Sequence, residues 1–328
     1  MNERVRIDET DAKILRQLLM ESRTSFTELA KICHITVGAV RMRYKKLWRT
    51  GLITGEIMQV NPQSLGYRCI SDIAISTSAE DEKSVFEFLT SKPYIQYVMH
   101  IFGKYNLTTK VALSDMQELA AILDDLKTNP AIQQVDTLIW AEVTNIDHPE
   151  NLVINNASIA SLEKQAPSLA NSSNRNPVIM DEIDRKIAKI LSGHSRTTFR
   201  KIAEKTGIST KNVIQRYRKL RGPVLTQSTI TMDLRKLGFN AVAGVFVKVT
   251  NKSKMSDVFS QILATPNLLT ALRLIGSFDL FILVALADFQ DYFDLQNRIR
   301  SMQGIDDTLT QLNRCSVSYP INMFRSLL

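Results

Sequence analysis

Two stretches of the chain carry the same order of apolar and polar positions. In the first, Asp8 and Asp11 stand ahead of an apolar stripe at helical spacing, Ile14, Leu15, Leu18 and Leu19, as a cap and a first-turn acid should. Ser25-x-x-Glu28 reads as a capping box that opens a second helix with Leu29, Ala30 and Ile32 on its inner face. A four-residue break, Cys33 to Thr36, leads into a third helix with Val37, Val40, Tyr44 and Leu47 on one side. Gly51 ends that helix, and Leu52-Ile53 with Glu56–Val60 are expected to form a small β-wing. Helix, helix, tight turn and helix around one apolar stripe predict a helix-turn-helix. The pattern then changes to β-α-β-β-α-β: strand 69–77, helix 81–91, strands 95–102 and 105–113 joined through Gly103, helix 116–128 and strand 133–143. The second half offers the matching pieces 241–250, 255–264, 268–275, 278–286, 289–302 and 305–317. Two helices on one face of an antiparallel sheet predict a ferredoxin-like arrangement. The second half's strands (GVFVKVT, LFILVAL) are the more apolar, so the other face of that sheet is expected to be buried too.

The halves align residue by residue at an offset of 173. Asp8, Asp11, Lys13, Ser22-Arg23-Thr24, Phe26, Ala30 and Ile35 match Asp181, Asp184, Lys186, Ser195-Arg196-Thr197, Phe199, Ala203 and Ile208. Val40, Arg43, Tyr44 and Leu47 continue onto Val213, Arg216, Tyr217 and Leu220. After a one-residue slip Leu65-Gly66-Tyr67 meets Leu237-Gly238-Phe239, and further on Gly103-Lys104-Tyr105-Asn106-Leu107 meets Gly276-Ser277-Phe278-Asp279-Leu280. Two copies with so long a period make a tandem duplication and not a solenoid. The fold class is therefore α+β: a winged helix-turn-helix plus a ferredoxin-like βαββαβ domain, given twice. Residues 148–178, rich in Asn, Ser and Pro, read as a linker with a short helix over 158–165.

Charge changes this picture from architecture to chemistry. The net +8 divides into +5 over 1–55, −7 over 56–147, zero over 148–178, +8 over 179–229 and +2 over 230–328. Two separated basic modules suggest two contacts with a polyanion. The density peaks on the outer side of each third helix: Arg41, Arg43, Lys45, Lys46 and Arg49 in one, Lys211, Asn212, Gln215, Arg216, Arg218 and Lys219 in the other. Such cations suit phosphates beside a major groove, while the Asn212 and Gln215 amides can pair bidentately with adenine. Double-stranded DNA is the partner this pattern names.

Apolar residues make up 44% and charged residues 23%, an ordinary globular composition. No run of 18 apolar residues occurs, which excludes a membrane-spanning helix, and the opening MNERVRIDETD is too charged for a secretory signal. Three scattered cysteines and four scattered histidines have neither disulfide nor zinc spacing, so reduced thiols, a cytoplasmic location, no metal and no cofactor are expected.

The sequence resembles the Lrp/AsnC (leucine-responsive, feast/famine) family of transcription regulators. Asp8-x-x-Asp11, Val40-x-x-Arg43-x-x-x-Leu47-x-x-x-Gly51, Leu65-Gly66 and Gly103-x-Tyr105-Asn106-Leu107 carry the likeness in the first half. Asp181-x-x-Asp184, Gly207-Ile208-Ser209-x-x-x-Val213-x-x-Arg216-x-x-x-Leu220, Leu237-Gly238 and Gly276-x-Phe278-Asp279-Leu280 carry it in the second. The resemblance implies DNA-binding domains at 1–55 and 179–229, and ligand-sensing and assembly domains at 56–147 and 230–328, the last including the C-terminal tail. It also implies self-association through the α/β domains, as an intramolecular pseudo-dimer or a homo-oligomer. An amino acid or other small effector would bind near Gly103, Tyr105, Asn106, Gly276, Phe278 and Asp279. Three departures stand out. Asn106 replaces the usual acid, His34 stands where Gly207 supplies a left-handed turn, and Arg221-Gly222-Pro223 replaces the usual exit, predicting a shortened second wing.

Two other readings compete. Sirohaem decarboxylases of the same architecture carry a histidine upstream of the corresponding turn, as His100 stands here, but Thr108-Thr109 replace the aromatic pair that follows. A chromatin-like or co-regulator DNA-binding protein without an effector is the other. The duplicated basic helices favour the regulator.

Overall fold

The computed structural model describes residues 4–154, 178–250, 254–315 and 318–328. The first half runs α1 (Glu9–Met20), α2 (Phe26–Cys33), α3 (Val37–Arg49), β1 (Ile53–Val60), β2 (Cys69–Thr77), α4 (Glu82–Thr90), β3 (Ile95–His100), β4 (Leu107–Leu113), α5 (Gln117–Lys127) and β5 (Ile132–Trp140). The second runs α6 (Glu182–Gly193), α7 (Phe199–Thr206), α8 (Thr210–Leu220), β6 (Leu225–Met232), a one-turn α9 (Leu234–Leu237), β7 (Ala241–Val249), α10 (Met255–Leu263), β8 (Leu268–Ile275), β9 (Leu280–Leu286), α11 (Phe289–Arg300) and β10 (Ile305–Arg314).

Side-chain caps set the helix starts. Asp8, Ser25 and Thr36 accept from the amides of Asp11, Glu28 and Ala39, and Asp181, Thr198 and Ser209 repeat this in the second half. His34 takes the left-handed conformation (φ 53) that Gly207 (φ 73) takes in the other copy, so both tight turns have the same hand.

The chain divides into two compact units, and each draws one module from each half. The first comprises the described parts of Met1–Leu65, Leu152–Gly238 and Ser316–Leu328. Here β1 pairs antiparallel with β6, from Ile53 opposite Met232 to Val60 opposite Leu225. The strand expected to fold back as a wing finds its partner in the other copy instead. A two-stranded ribbon needs a packed face to persist, and α1 lies on β6 while α6 lies on β1. Both strands are eight residues long, so the second is not shortened; Arg221 reaches Leu225 across Gly222. Because β1 and β6 belong here, the unit extends to Leu65 and Gly238, beyond the boundaries expected at 55 and 229. The C-terminal tail, expected with the last α/β domain, also packs here. Tyr319 and Met232 exchange backbone hydrogen bonds, and the Asn322 amide donates to the carbonyls of Met58 (2.7 Å) and Ser192 (2.9 Å).

The second unit comprises Gly66–Asn151 and Phe239–Cys315. Its strands form one eight-stranded sheet in the order β10-β7-β9-β8-β5-β2-β4-β3, which is the ferredoxin-like order used twice. The copies join at Ile139 opposite Ile275 and Trp140 opposite Leu274, and a bridge between Phe102 and Leu312 links the two outer edges. Helix-facing side chains build two cores, one around Ile73, Val85, Leu107 and Leu126, the other around Val245, Val258, Leu280 and Ile299. Residues 148–151, expected as linker, are docked on this unit. The His148 amide donates to Leu269 O (2.7 Å) at the start of β8, and the Asn151 side chain donates to Leu263 O (2.9 Å), one of the carbonyls left without an intrahelical partner at the C-terminus of α10. The short helix expected over 158–165 lies outside the described residues.

The sheet face away from the helices is enclosed in both copies, not only in the second. Lys110 and Asp72 sit opposite each other on β4 and β2, and Lys110 is 1% exposed. Its ammonium pairs with Asp72 and lies 3.6 Å from the centroid of the Trp140 ring, whose N–H donates to Asp72 Oδ2 at 2.5 Å. Gly244 and Leu283 occupy the paired positions in the other copy, with the Phe281 ring over Gly244.

Candidate nucleic-acid interface

The third helix of each copy is held by an ion-pair clasp. Asp11 is fully buried in α1, and its carboxylate accepts from Arg43 Nη1 (2.8 Å) and Lys46 Nζ (3.2 Å) of α3. Arg43 also pairs with the cap residue Asp8 at 2.6 Å. The second copy repeats this: Asp184 accepts from Arg216 (2.7 Å) and Lys219 (2.7 Å), and Asp181 from Arg216. The Arg216 guanidinium, with the Asp184 amide, holds the Asp181 carboxyl below the usual carboxylate range. At Asp8, burial pushes upward, but the Asp11 amide and Arg43 prevail and the pKa is lowered.

This clasp engages four of the residues expected at the interface, Arg43, Lys46, Arg216 and Lys219. Arg43 and Arg216 point back onto the first helix of their own copy, where the buried Asp11 and Asp184 carboxylates need charge-assisted donors. Lys46 and Lys219 share the same acids while keeping nearly half of their side-chain surface exposed. The residues that remain wholly outward are Arg41, Lys45 and Arg49 on α3, and Lys211, Asn212, Gln215 and Arg218 on α8. None of these side chains forms an ion pair or hydrogen bond with a described residue. Tyr44 and Tyr217 pack inward against Phe26 and Phe199, at 5.1 and 5.0 Å between ring centroids. Burial, and then the hydrogen bond to Glu56, push the Tyr44 phenol up, so it stays neutral.

The two helical copies are locked by residues that sequence reasoning matched but gave no role. Arg23 Nη1 donates to the carbonyls of Ser195 and Thr197 (3.1 Å to the latter), and Arg196 Nη1 donates to those of Ser22 and Thr24 (2.9 Å to the latter). Arg23 lies 4.7 Å above the Phe199 ring and Arg196 5.0 Å above Phe26. Ser22 Oγ meets Ser195 Oγ at 2.6 Å and Ser228 Oγ at 2.5 Å. The identical Ser-Arg-Thr in both copies, lying outside the third helices, was the signal. A chain that pairs with its own copy keeps the residues of the seam identical in both.

The turn residues proposed for an effector have structural work here. Asn106 Oδ1 accepts from the Thr77 amide (3.0 Å) and Asp279 Oδ2 from the Val249 amide (2.9 Å), each closing the end of a strand. Tyr105 is buried with its hydroxyl on Asp136, and Phe278 packs on Phe246 at 5.6 Å. Gly103 (φ 147) and Gly276 (φ 150) lie against the last strand of the other copy. A side chain at Gly103 would come within 3.4 Å of Gln311 Cγ, and one at Gly276 within 3.2 Å of Thr137 O.

Family models match nearly every module just described. The Lrp/AsnC ligand binding domain matches residues 70–147 and again 240–313, the winged helix-turn-helix DNA-binding domain 7–54, and the AsnC-type helix-turn-helix domain 180–221. The chain belongs to the Lrp/AsnC family of transcription regulators. Among curated Lrp/AsnC proteins it is 32% identical over 136 residues to the regulatory protein AsnC of Escherichia coli K12, spanning 40% of this chain and 89% of that protein. It is 29% identical over 136 residues to the HTH-type transcriptional regulator FL11 of Pyrococcus abyssi, spanning 42% of this chain and 90% of that one. Each such relative therefore matches about one copy. A whole-chain structural match is the siroheme decarboxylase NirDL, with a TM-score of 0.65 and 14% identity, covering 97% of this chain and 96% of that one. At that identity the likeness is one of fold. Among the described residues no helix is long and apolar enough to cross a membrane.

Proposed function

We propose that this Lrp/AsnC chain is a sequence-reading regulator that sets two different reading helices on DNA from one polypeptide. The observation that carries this reading is the asymmetry of the outward faces of α3 and α8 within one locked unit: Arg41, Met42, Lys45 and Arg49 on one, Lys211, Asn212, Gln215 and Arg218 on the other. The first offers cations and an apolar thioether, the second amides able to read adenine. Asn212→Ala is expected to lower discrimination at one half-site by about 1–3 kcal/mol while leaving the other half-site unaffected. Arg218→Ala is expected to weaken all sequences alike and to reduce the salt slope by about one unit. Competition binding with base-substituted duplexes separates the two, and equal behaviour of the two variants contradicts the reading.

An amino acid or similar small effector is part of the same proposal. It is supported by the two matches to a ligand-binding domain, and its place would be the junctions at Gly103 and Gly276, where the copies meet. Repeating the competition with each amino acid present tests it: a changed DNA affinity supports the effector, and no change with any of them removes it. The decarboxylase reading has less support, since His100 is bonded to Glu82 at 2.7 Å and stacked on Phe86 at 4.7 Å.

A further inference from the structure

The two helical copies differ in the charge of a groove that lies away from their reading helices. A groove of about 470 Å³ opens beside the first copy, lined by Arg4, Arg6, Asp8, Lys46, Thr50 and Lys236. The Val5 amide donates to Lys236 O at 2.9 Å, which fixes the N-terminal segment along the end of β6's exit helix α9. Arg4 then crosses Gly238, where a side chain would come within 3.1 Å of its Nε, so the absence of one there seats the arginine. Arg4, Arg6 and Lys236 form no ion pair with a described residue. The one acid in the groove, Asp8, is already held by Arg43.

The second copy repeats the backbone but not the charge. The Val178 amide donates to Ser64 O at 2.9 Å, the counterpart of the Val5–Lys236 bond. The residues matching Arg4, Arg6 and Lys236 are Pro177, Ile179 and Ser64, none of them cationic. Ile179 is 90% exposed, and the counterpart glycine, Gly66, has nothing within 4 Å of where a side chain would begin. Lys46 lies one turn from Arg49 on α3, so the groove continues the outward cationic stripe of that helix.

We propose that the Arg4–Arg6–Lys236 groove grips a DNA backbone phosphate flanking the half-site under α3, and that the second copy has no such grip. This rests on the DNA-binding reading and adds a division of labour to it. The first copy, whose reading face has fewer base-pairing groups, anchors by charge; the second, with Asn212 and Gln215, carries more of the sequence. Three unpaired cations converging on one groove are suited to a phosphate diester and too hydrophilic to serve an apolar ligand.

The test uses the full chain, a mixed-sequence duplex and a selected duplex. Arg4→Ala with Arg6→Ile and Lys236→Ser, all surface changes, is expected to reduce the slope of log affinity against log salt by about one unit on both duplexes. Phosphate-ethylation interference on the selected duplex is expected to vanish at one flank only. Ile179→Arg, which restores a cation to the other copy, is expected to steepen the slope and create interference at the opposite flank. Unchanged slope and unchanged interference in the triple variant overturn the groove while leaving the DNA-binding reading in place. Failure of the unaltered chain to bind either duplex overturns both.

Discussion

Replacing Asp72 with Ala is expected to destabilise the sheet unit by about 3–5 kcal/mol. The loss comes from Lys110, which is 1% exposed and depends on the Asp72 carboxylate as its counter-charge. Burial already pulls the Lys110 ammonium below its ordinary value, against the opposing pull of Asp72. Without the acid, the lysine must either stay charged in a dry interior, give up its proton, or open the sheet to water. The Trp140 N–H would lose its acceptor in the same step. The other copy shows that the position does not require charge, since Gly244 and Leu283 fill it. Asp72→Ala combined with Lys110→Met is therefore expected to recover most of the loss, because removing both ions also removes their desolvation cost. Thermal unfolding followed by Trp140 emission in a Trp48→Phe background reads this unit, since the chain has two tryptophans and Trp48 lies in the other. If the single and double variants unfold at the same temperature, the pair is not coupled as described.

The second large effect is expected at the seam of the helical unit. Arg23→Ala with Arg196→Ala removes donors to four backbone carbonyls and four guanidinium–ring contacts, those of Arg23 with Phe199 and Tyr217 and those of Arg196 with Phe26 and Tyr44. At about 2–4 kcal/mol for each arginine, the β1–β6 ribbon with α1 and α6 packed on it, the Arg221–Glu21 ion pair and the serine contacts are left to hold the copies together. Each helix-turn-helix keeps its own Asp11 or Asp184 clasp and its own caps, so each should still fold. What is lost is the fixed geometry between the reading helices. Affinity for DNA with two half-sites is expected to fall by about 100-fold as the second contact ceases to be pre-positioned. The unaltered chain should also weaken sharply when the half-sites are moved apart by about five base pairs, half a helical turn, whereas the variant should respond much less. Equal spacing dependence in the two proteins would show that the arginines do not set the geometry.

Apart from the one-turn α9, the helices, strands and their order were legible in the sequence because each is set by local signals: caps at Asp8 and Ser25, apolar stripes at helical spacing, and alternation in the strands. The family was legible because its motifs occur twice in register. What each strand pairs with was less so. Glu56–Val60 reads as half of a hairpin, since nothing local says that its partner lies at Leu225–Met232. The polar residues Asp72 and Lys110 make β2 and β4 look half-solvated, and only three-dimensional closure reveals that they neutralise each other inside. Arg43 and Arg216 look like their outward neighbours in a run of cations; the buried aspartates that turn them inward lie 32 residues earlier in each copy. The Ser-Arg-Thr repeat was visible, yet identity between copies does not by itself distinguish a seam from a binding face. Gly103 and Gly276 were legible as turns, but their close approach to the other copy's last strand was not.

One chain presenting two unlike readers at a fixed separation is tested most directly by selection from a randomised duplex pool with the full protein. The expected result is an enriched motif of two half-sites about one helical turn apart, with different preferred bases in the two, the adenine preference in one disappearing when the selection is repeated with Asn212→Ala. A perfectly symmetric palindrome, or a pool with no enriched motif, would contradict it.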